Sequence, residues 1–318
     1  MIRDALGLVL GLIIGIQLTE YWNYNNFMQT AIWERRNPKA DNPAKRLFNQ
    51  TRILCMVLID PLDHVKKEAK IKSTWGRRCN KLIFWKDSKE DNNTFAAVRH
   101  GFKNIFRNYF NGHDWFLRAD TDTFVIMENL RRFLYRYDPE SSIYFGHRLK
   151  SDFAQGYMSG EAGYVLSRGA LRRLNLFAFK DFNICGNDLN SNLESEDREM
   201  GLCLKNVGVI AGESRDGMGQ ERFLSLMPQW IGPGLDGWKQ YSESLYFKAT
   251  TRVCCSSSLI TFRPAGSASA FDLWEFLLHR VSVFGYPMRP LKLPPRLNFR
   301  EMHAQLRYWS QVVSDNHG

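Results

Sequence analysis

Asp120 and Asp122 stand one residue apart at the end of an apolar run, Trp115-Phe-Leu-Arg-Ala-Asp-Thr-Asp-Thr-Phe-Val125. Two carboxylates at the C-terminal end of a buried strand make a seat for a hard divalent cation, Mg²⁺ or Mn²⁺, and such sites commonly share the ion with a substrate's phosphates. Alone, an Asp-x-Asp triplet says little, because turns and caps use aspartate constantly. A second acidic cluster, Glu194-Ser-Glu-Asp197, reads unaided as charge at a helix N-terminus. Ser167, ahead of Ala170, Leu171 and Leu174, reads as an N-cap.

The elements around these residues follow from periodicity. Ile53 to Ile59 is a continuous apolar run closed by Asp60-Pro61, the pattern of a strand covered on both faces. Lys66 to Trp75 has a helical character, and Lys81 to Trp85 reads as a second strand. Phe95, Val98, Phe102, Ile105, Phe106 and Tyr109 recur at helical spacing and should bury one face. Trp115 to Ala119 is the third strand, Leu130, Phe133, Leu134 and Tyr137 another helical stripe, and Ile143 to Phe145 another strand. Strands alternating with helices predict an α/β domain with a mostly parallel sheet, whose ligands bind at the C-terminal strand ends. That is where Asp120 and Asp122 fall. A last amphipathic segment carries Phe271, Trp274, Leu277, Leu278 and Val281, and the basic, proline-rich stretch after Pro287 reads as semi-extended surface.

With 318 residues, 44% hydrophobic and 14% aromatic, the chain is globular and long enough for a substantial core. Its formal net charge of +10 is scattered. Pairs such as Lys66-Lys67, Arg77-Arg78 and Arg131-Arg132 read as solvated helix faces, and no zinc-finger or ribonucleoprotein spacing supports a nucleic-acid partner. Between Ala5 and Leu18 only Gln17 is polar; the run is short for a membrane span, and no small-residue cleavage site follows. It reads as an uncleaved signal anchor, with a cleaved signal as the alternative, and Arg3 keeps the short tail cytoplasmic. The sequons Asn49-Gln-Thr51 and Asn92-Asn-Thr94 agree with a lumenal chain. The six cysteines form local groups: Cys55 with Cys79, Cys185 with Cys203, and adjacent Cys254 and Cys255. An oxidising compartment would pair them, but six cysteines allow fifteen connectivities, and buried free thiols are the alternative.

Several blocks then carry a resemblance: Lys72 to Asn80, the Asp-x-Asp run, Ile143 to Gly146, Gly156-Tyr-Met-Ser-Gly-Glu-Ala-Gly-Tyr-Val-Leu-Ser167, Glu196-Asp197, and Ala211 to Asp216. In order and spacing, from about Arg52 to Tyr286, the chain resembles the core 1 β1,3-galactosyltransferases. The resemblance implies a GT-A fold, a single Rossmann-like lumenal domain on a type II Golgi membrane anchor, UDP-galactose as donor, an O-linked N-acetylgalactosamine glycoprotein as acceptor, and Mn²⁺. Asp120 and Asp122 would hold the metal against the donor diphosphate, offsetting charge on the departing UDP. Asp197 matches the base that deprotonates the acceptor hydroxyl for inversion. Val57, Asp120 and Arg263 fall to donor binding. The expected organisation is a cytoplasmic tail at 1–4, anchor at 5–19, stem at 20–46, GT-A domain at 47–286 and basic tail at 287–318; a homodimer is also expected.

The chain departs from the family's pattern at defined places. Lys86 to Asn93 runs almost directly into the next helix where the family has a longer nucleotide-contacting loop. Thr261-Phe-Arg263 stands for Ser-Phe-His, whose histidine completes the metal site, and arginine has no lone pair with which to ligate a cation. The aromatic run near the acceptor is reduced to Lys239 to Tyr246, and Glu161 replaces a glycine. Two accounts fit: an enzyme in which Arg263 supplies charge to the diphosphate, or a catalytically impaired paralogue with a binding or chaperone-like role.

Overall fold

Ile53 to Ile59 forms strand β1, and every residue in it is buried. The computed structural model describes residues 43–59, 64–86, 94–185, 195–231, 241–246, 254–264, 269–279 and 293–315. The expected anchor and most of the stem lie outside these residues, as do positions 87–93 of the short loop. Among the described residues no helix is long and apolar enough to cross a membrane.

Helices α1 (Pro43–Gln50), α2 (His64–Ser73) and α3 (Thr94–Asn108) flank β1 and β2 (Lys81–Lys86) in sequence. Strand β3 (Trp115–Asp120) and the short β4 (Phe124–Val125) lead into α4 (Met127–Leu134). Then come β5 (Ile143–Gly146), β6 (Arg148–Leu149), β7 (Tyr157–Met158), β8 (Tyr164–Ser167) and α5 (Arg168–Leu176). The short α6 (Phe182–Cys185), α7 (Glu196–Asn206), β9 (Ile210–Ala211), β10 (Thr261–Phe262), α8 (Ser269–His279) and α9 (Phe299–Asp315) complete the order. The main sheet runs β2-β1-β3-β8-β5-β9. Pairing is parallel except at β8, which is antiparallel to both neighbours.

The continuous apolar run of β1 is explained by cover on both faces. Ile53, Cys55 and Val57 join a core with Ile71, Trp75, Leu130, Phe133 and Phe271. Leu54, Met56 and Leu58 face the other way, against Phe95, Val98, Phe102, Leu171, Met200 and Leu204. Successive strand residues thus serve opposite layers, and each large aliphatic buried there contributes about 1.5–3 kcal/mol.

The four strands read from the sequence and the helix around 95–109 are present within a residue of their expected ends, while the helices expected around 66–75 and 130–137 lie two and three residues earlier. Two expectations differ. Leu277 and Leu278 are exposed on α8 rather than buried, Phe271 is the buried member of that stripe among the described residues, and Val281 lies outside them. The stretch after Pro287 is not semi-extended throughout: α9 places Met302 in the core, with Leu306 and Trp309 packed beside it. That helical stripe is one residue wide and lies among basic neighbours, so its periodicity is faint. Disulfides join Cys55–Cys79, Cys185–Cys203 and Cys254–Cys255, and Ser167 caps α5 by accepting the Ala170 N–H.

Candidate active site

Arg118 and Asp120 lie two residues apart on β3 and therefore share one face of the sheet. That face looks toward the N-terminus of α7, where the first two residues are Glu196 and Asp197. Arg118 ties Asp120 to Glu196. Its Nη1 pairs with Asp120 Oδ1 at 2.8 Å, and its Nη2 pairs with Glu196 Oε2 at 2.8 Å. Nη1 also donates to the Gly160 carbonyl at 2.6 Å. Burial works against the guanidinium's charge, but Asp120 and Glu196 outweigh it and raise its pKa.

Glu196 is equally enclosed and accepts the Tyr164 hydroxyl at 2.8 Å. Burial pushes its carboxyl up to about 7, against the pull of Arg118. Asp197 sits differently: Oδ2 accepts the Gly160 N–H at 2.8 Å, Oδ1 accepts the Arg198 N–H at 3.0 Å, and the residue stays partly exposed. The loop between β7 and β8 thus clasps both acidic residues. Gly160 lets the loop approach closely, since a Cβ there would lie 3.0 Å from Arg118 Nη1 and 3.1 Å from Glu196 Oε2 and push at both side chains. Gly163 turns the loop back at φ +75°, a conformation that side chains disfavour.

Asp122 occupies the turn after β3 and is half-exposed. Its Oδ1 pairs with Lys67 of α2 at 2.8 Å, and its Oδ2 with Arg263 Nη2 at 3.4 Å. Arg263 Nη1 reaches Glu161 Oε1 at 3.2 Å. Arg263 follows β10 directly, and β10 pairs with β4 in the register Phe262↔Phe124, so the backbone fixes it beside the Asp122 turn.

The structure thus groups Asp120 with Glu196 through Arg118, adds Asp197 through Gly160, and groups Asp122 with Arg263 and Glu161. It does not bring the Val57 side chain to either group; Val57 is fully buried in the core with Ala119 and Ala162. Sequence reading passed over Arg118, Lys67 and Tyr164. Arg118 left a signal, being the lone charge inside a buried strand. Lys67 left none, because it looked like a solvated basic face and its partner is set only by packing.

Glycoprotein-N-acetylgalactosamine 3-beta-galactosyltransferase 1 of Xenopus laevis is 31% identical over 272 residues, covering 79% of this chain and 73% of that relative. The chain belongs to the core 1 β1,3-galactosyltransferase family, as a divergent member. A Fringe-like family model matches residues 88–216. A mouse (Mus musculus) beta-1,3-glucosyltransferase is 25% identical over 164 residues, 46% of this chain and 32% of the relative. A solved glycosyltransferase involved in glycosylation of the major capsid of PBCV-1 aligns over 70% of this chain and 98% of its own, with 12% identity and a TM-score of 0.39. This core 1 family member is a glycosyltransferase.

The divalent ion that the family implies can be tested against the donor set. Asp120 Oδ1 and both Asp122 oxygens already carry an ion pair to an arginine or lysine. Among the described residues no group of three or more histidines, cysteines or carboxylates is placed to hold a metal. The side chain at the family's histidine position is Arg263, which repels a cation. As arranged, these residues do not fit a divalent ion.

Proposed function

We propose that this core 1 family glycosyltransferase moves galactose from UDP-galactose to the 3-hydroxyl of O-linked N-acetylgalactosamine on glycoproteins, with inversion. The observation that carries this reading is the pairing of Asp120 and Glu196 with Arg118, joined by Asp197 through Gly160, at the C-terminal edge of β3, where ligands of open α/β sheets bind. The glycoprotein-N-acetylgalactosamine specificity in the name of the Xenopus laevis relative supports the acceptor.

The division of labour follows from environment. Asp197 is the acceptor's base: it is partly exposed, and its carboxylate is oriented by the Gly160 and Arg198 N–H groups. Glu196 is enclosed and hydrogen-bonded to Tyr164, so it orients Arg118 rather than meeting substrate. Asp120 and Arg263 border the donor, and Val57 contributes through the position of its backbone near the end of β1. Family resemblance puts Mn²⁺ beside Asp120 and Asp122. Here the ion would have to displace Lys67 and Arg263 from Asp122, and we assign it no step.

Three disulfides suit an oxidising compartment. We place the reaction in the lumen of the secretory pathway, with the segment at 5–19 holding the chain to the Golgi membrane. The test is transfer of labelled galactose from UDP-galactose to an O-N-acetylgalactosaminyl peptide by the purified full-length chain. Product with a β1,3 linkage supports the reading. No transfer from any UDP-hexose, in a chain that unfolds cooperatively, would favour the impaired paralogue with a binding role.

A further inference from the structure

Two of the chain's departures from its family meet in the fold. Glu161 stands where the family has glycine, and Arg263 where it has histidine. They lie on different loops, yet their side chains pair at 3.2 Å, and Arg263 continues to Asp122 at 3.4 Å. Lys67 closes the row from the other side, on the second oxygen of Asp122. Two protein cations therefore flank the aspartate that the family's pattern gives to a metal.

The chemistry of those cations suits a diphosphate. Guanidinium presents paired N–H donors in a plane that matches two phosphate oxygens, and an ammonium adds a point charge with rotatable donors. Arg263 is anchored by the β4–β10 pairing and keeps 29% of its side chain exposed; Lys67 keeps 25%. An incoming divalent ion would instead sit against two like charges within ion-pair distance of the same carboxylate.

Resting on the glycosyltransferase reading above, we propose that Lys67 and Arg263 form the cationic seat for the donor's diphosphate in place of a divalent ion. Glu161 holds Arg263 until phosphate oxygens replace its carboxylate. The nucleotide then binds with the two cations on its phosphates, and Asp122 remains as the brace that keeps both in position. The carboxylate of Glu161 competes with the ligand, so its removal strengthens binding.

Calorimetric titration of the full-length chain with UDP, in EDTA and again with Mn²⁺, tests this. The expected result is binding of equal strength in both. Arg263→Ala and Lys67→Ala should each weaken it roughly tenfold or more, the scale of a lost charge-assisted contact, and Glu161→Gln should tighten it several-fold. Arg263→Lys keeps the charge and should retain part of the affinity, which separates loss of the seat from loss of folding. UDP binding that appears only with Mn²⁺ would overturn the inference and leave the glycosyltransferase reading intact. Binding in neither condition, with normal thermal unfolding, would overturn both.

Discussion

Replacing Arg118 with methionine tests whether it is the hub of the site. Methionine fills a similar length with no charge. The change strips Glu196 and Asp120 of the same cation, and the Gly160 carbonyl of a donor. Glu196 is buried, so above its pKa it becomes a charge without that partner, and breaking a buried pair costs about 3–5 kcal/mol. The sign of the pH dependence is fixed by burial. The folded chain holds Glu196 at about 7 against an ordinary 4.5, so it binds the extra proton between those values and stability falls as pH rises through that window, by about 3 kcal/mol in all. Without Arg118 the carboxyl rises further and the decline extends to higher pH. At pH 8.5 the variant should therefore lose about 4 kcal/mol, or roughly 10 °C in Tm for a chain of this size. At pH 5.5 Glu196 is protonated in both proteins, and the loss should shrink to about 1–2 kcal/mol for the remaining hydrogen bonds. Differential scanning calorimetry at the two pH values measures this directly. Equal losses at both, or a loss below about 1 kcal/mol at pH 8.5, would refute the hub.

Asp197→Asn keeps an oxygen for the Gly160 N–H but cannot take a proton; transfer should fall by about 10²–10⁴ with Tm and UDP affinity unchanged, as initial rates with labelled donor would show. Glu221 is buried beside Ser244, and burial raises its carboxyl to about 8, so it destabilises the fold as pH climbs from its ordinary value through 8. Glu221→Gln should raise Tm by several degrees at pH 9 and leave it nearly unchanged at pH 5, measured by circular dichroism melts. Cys185 and Cys203 are 18 residues apart, and replacing both with serine should cost about 3 kcal/mol, seen as a lowered denaturant midpoint.

What was legible in the sequence divides by physical origin. The sheet was readable because β1 is apolar at every position, a pattern only two-sided cover explains, and α3 and α4 announce themselves by helical stripes. Strand β8 was not separately visible: four residues, Tyr164 to Ser167, run straight into the cap of α5, and its reversed direction depends on the turn at Gly163. Helix α9 was hidden by Pro294 and Pro295 ahead of it and by a stripe of single residues. In the site, the carboxylates were found by type and position and Arg263 by its place in the family's pattern, whereas Lys67 and Arg118 were not, because they acquire meaning only from what the fold sets opposite them.

Glu161 and Arg263 show this most clearly. Read along the chain they are two separate losses, of a glycine and of a histidine. Read in the fold they are one exchange, since each supplies the charge the other lacks. Glu161 without Arg263 would add a carboxylate beside Asp122 with nothing on that side to balance it; Arg263 without Glu161 would lean on Asp122 alone. A site decaying at random has no reason to place a new anion against a new cation at hydrogen-bonding distance. The pairing therefore argues for a rebuilt donor site rather than a disabled one, and it locates the rebuilding at the donor's phosphates, away from Asp197 and the acceptor hydroxyl.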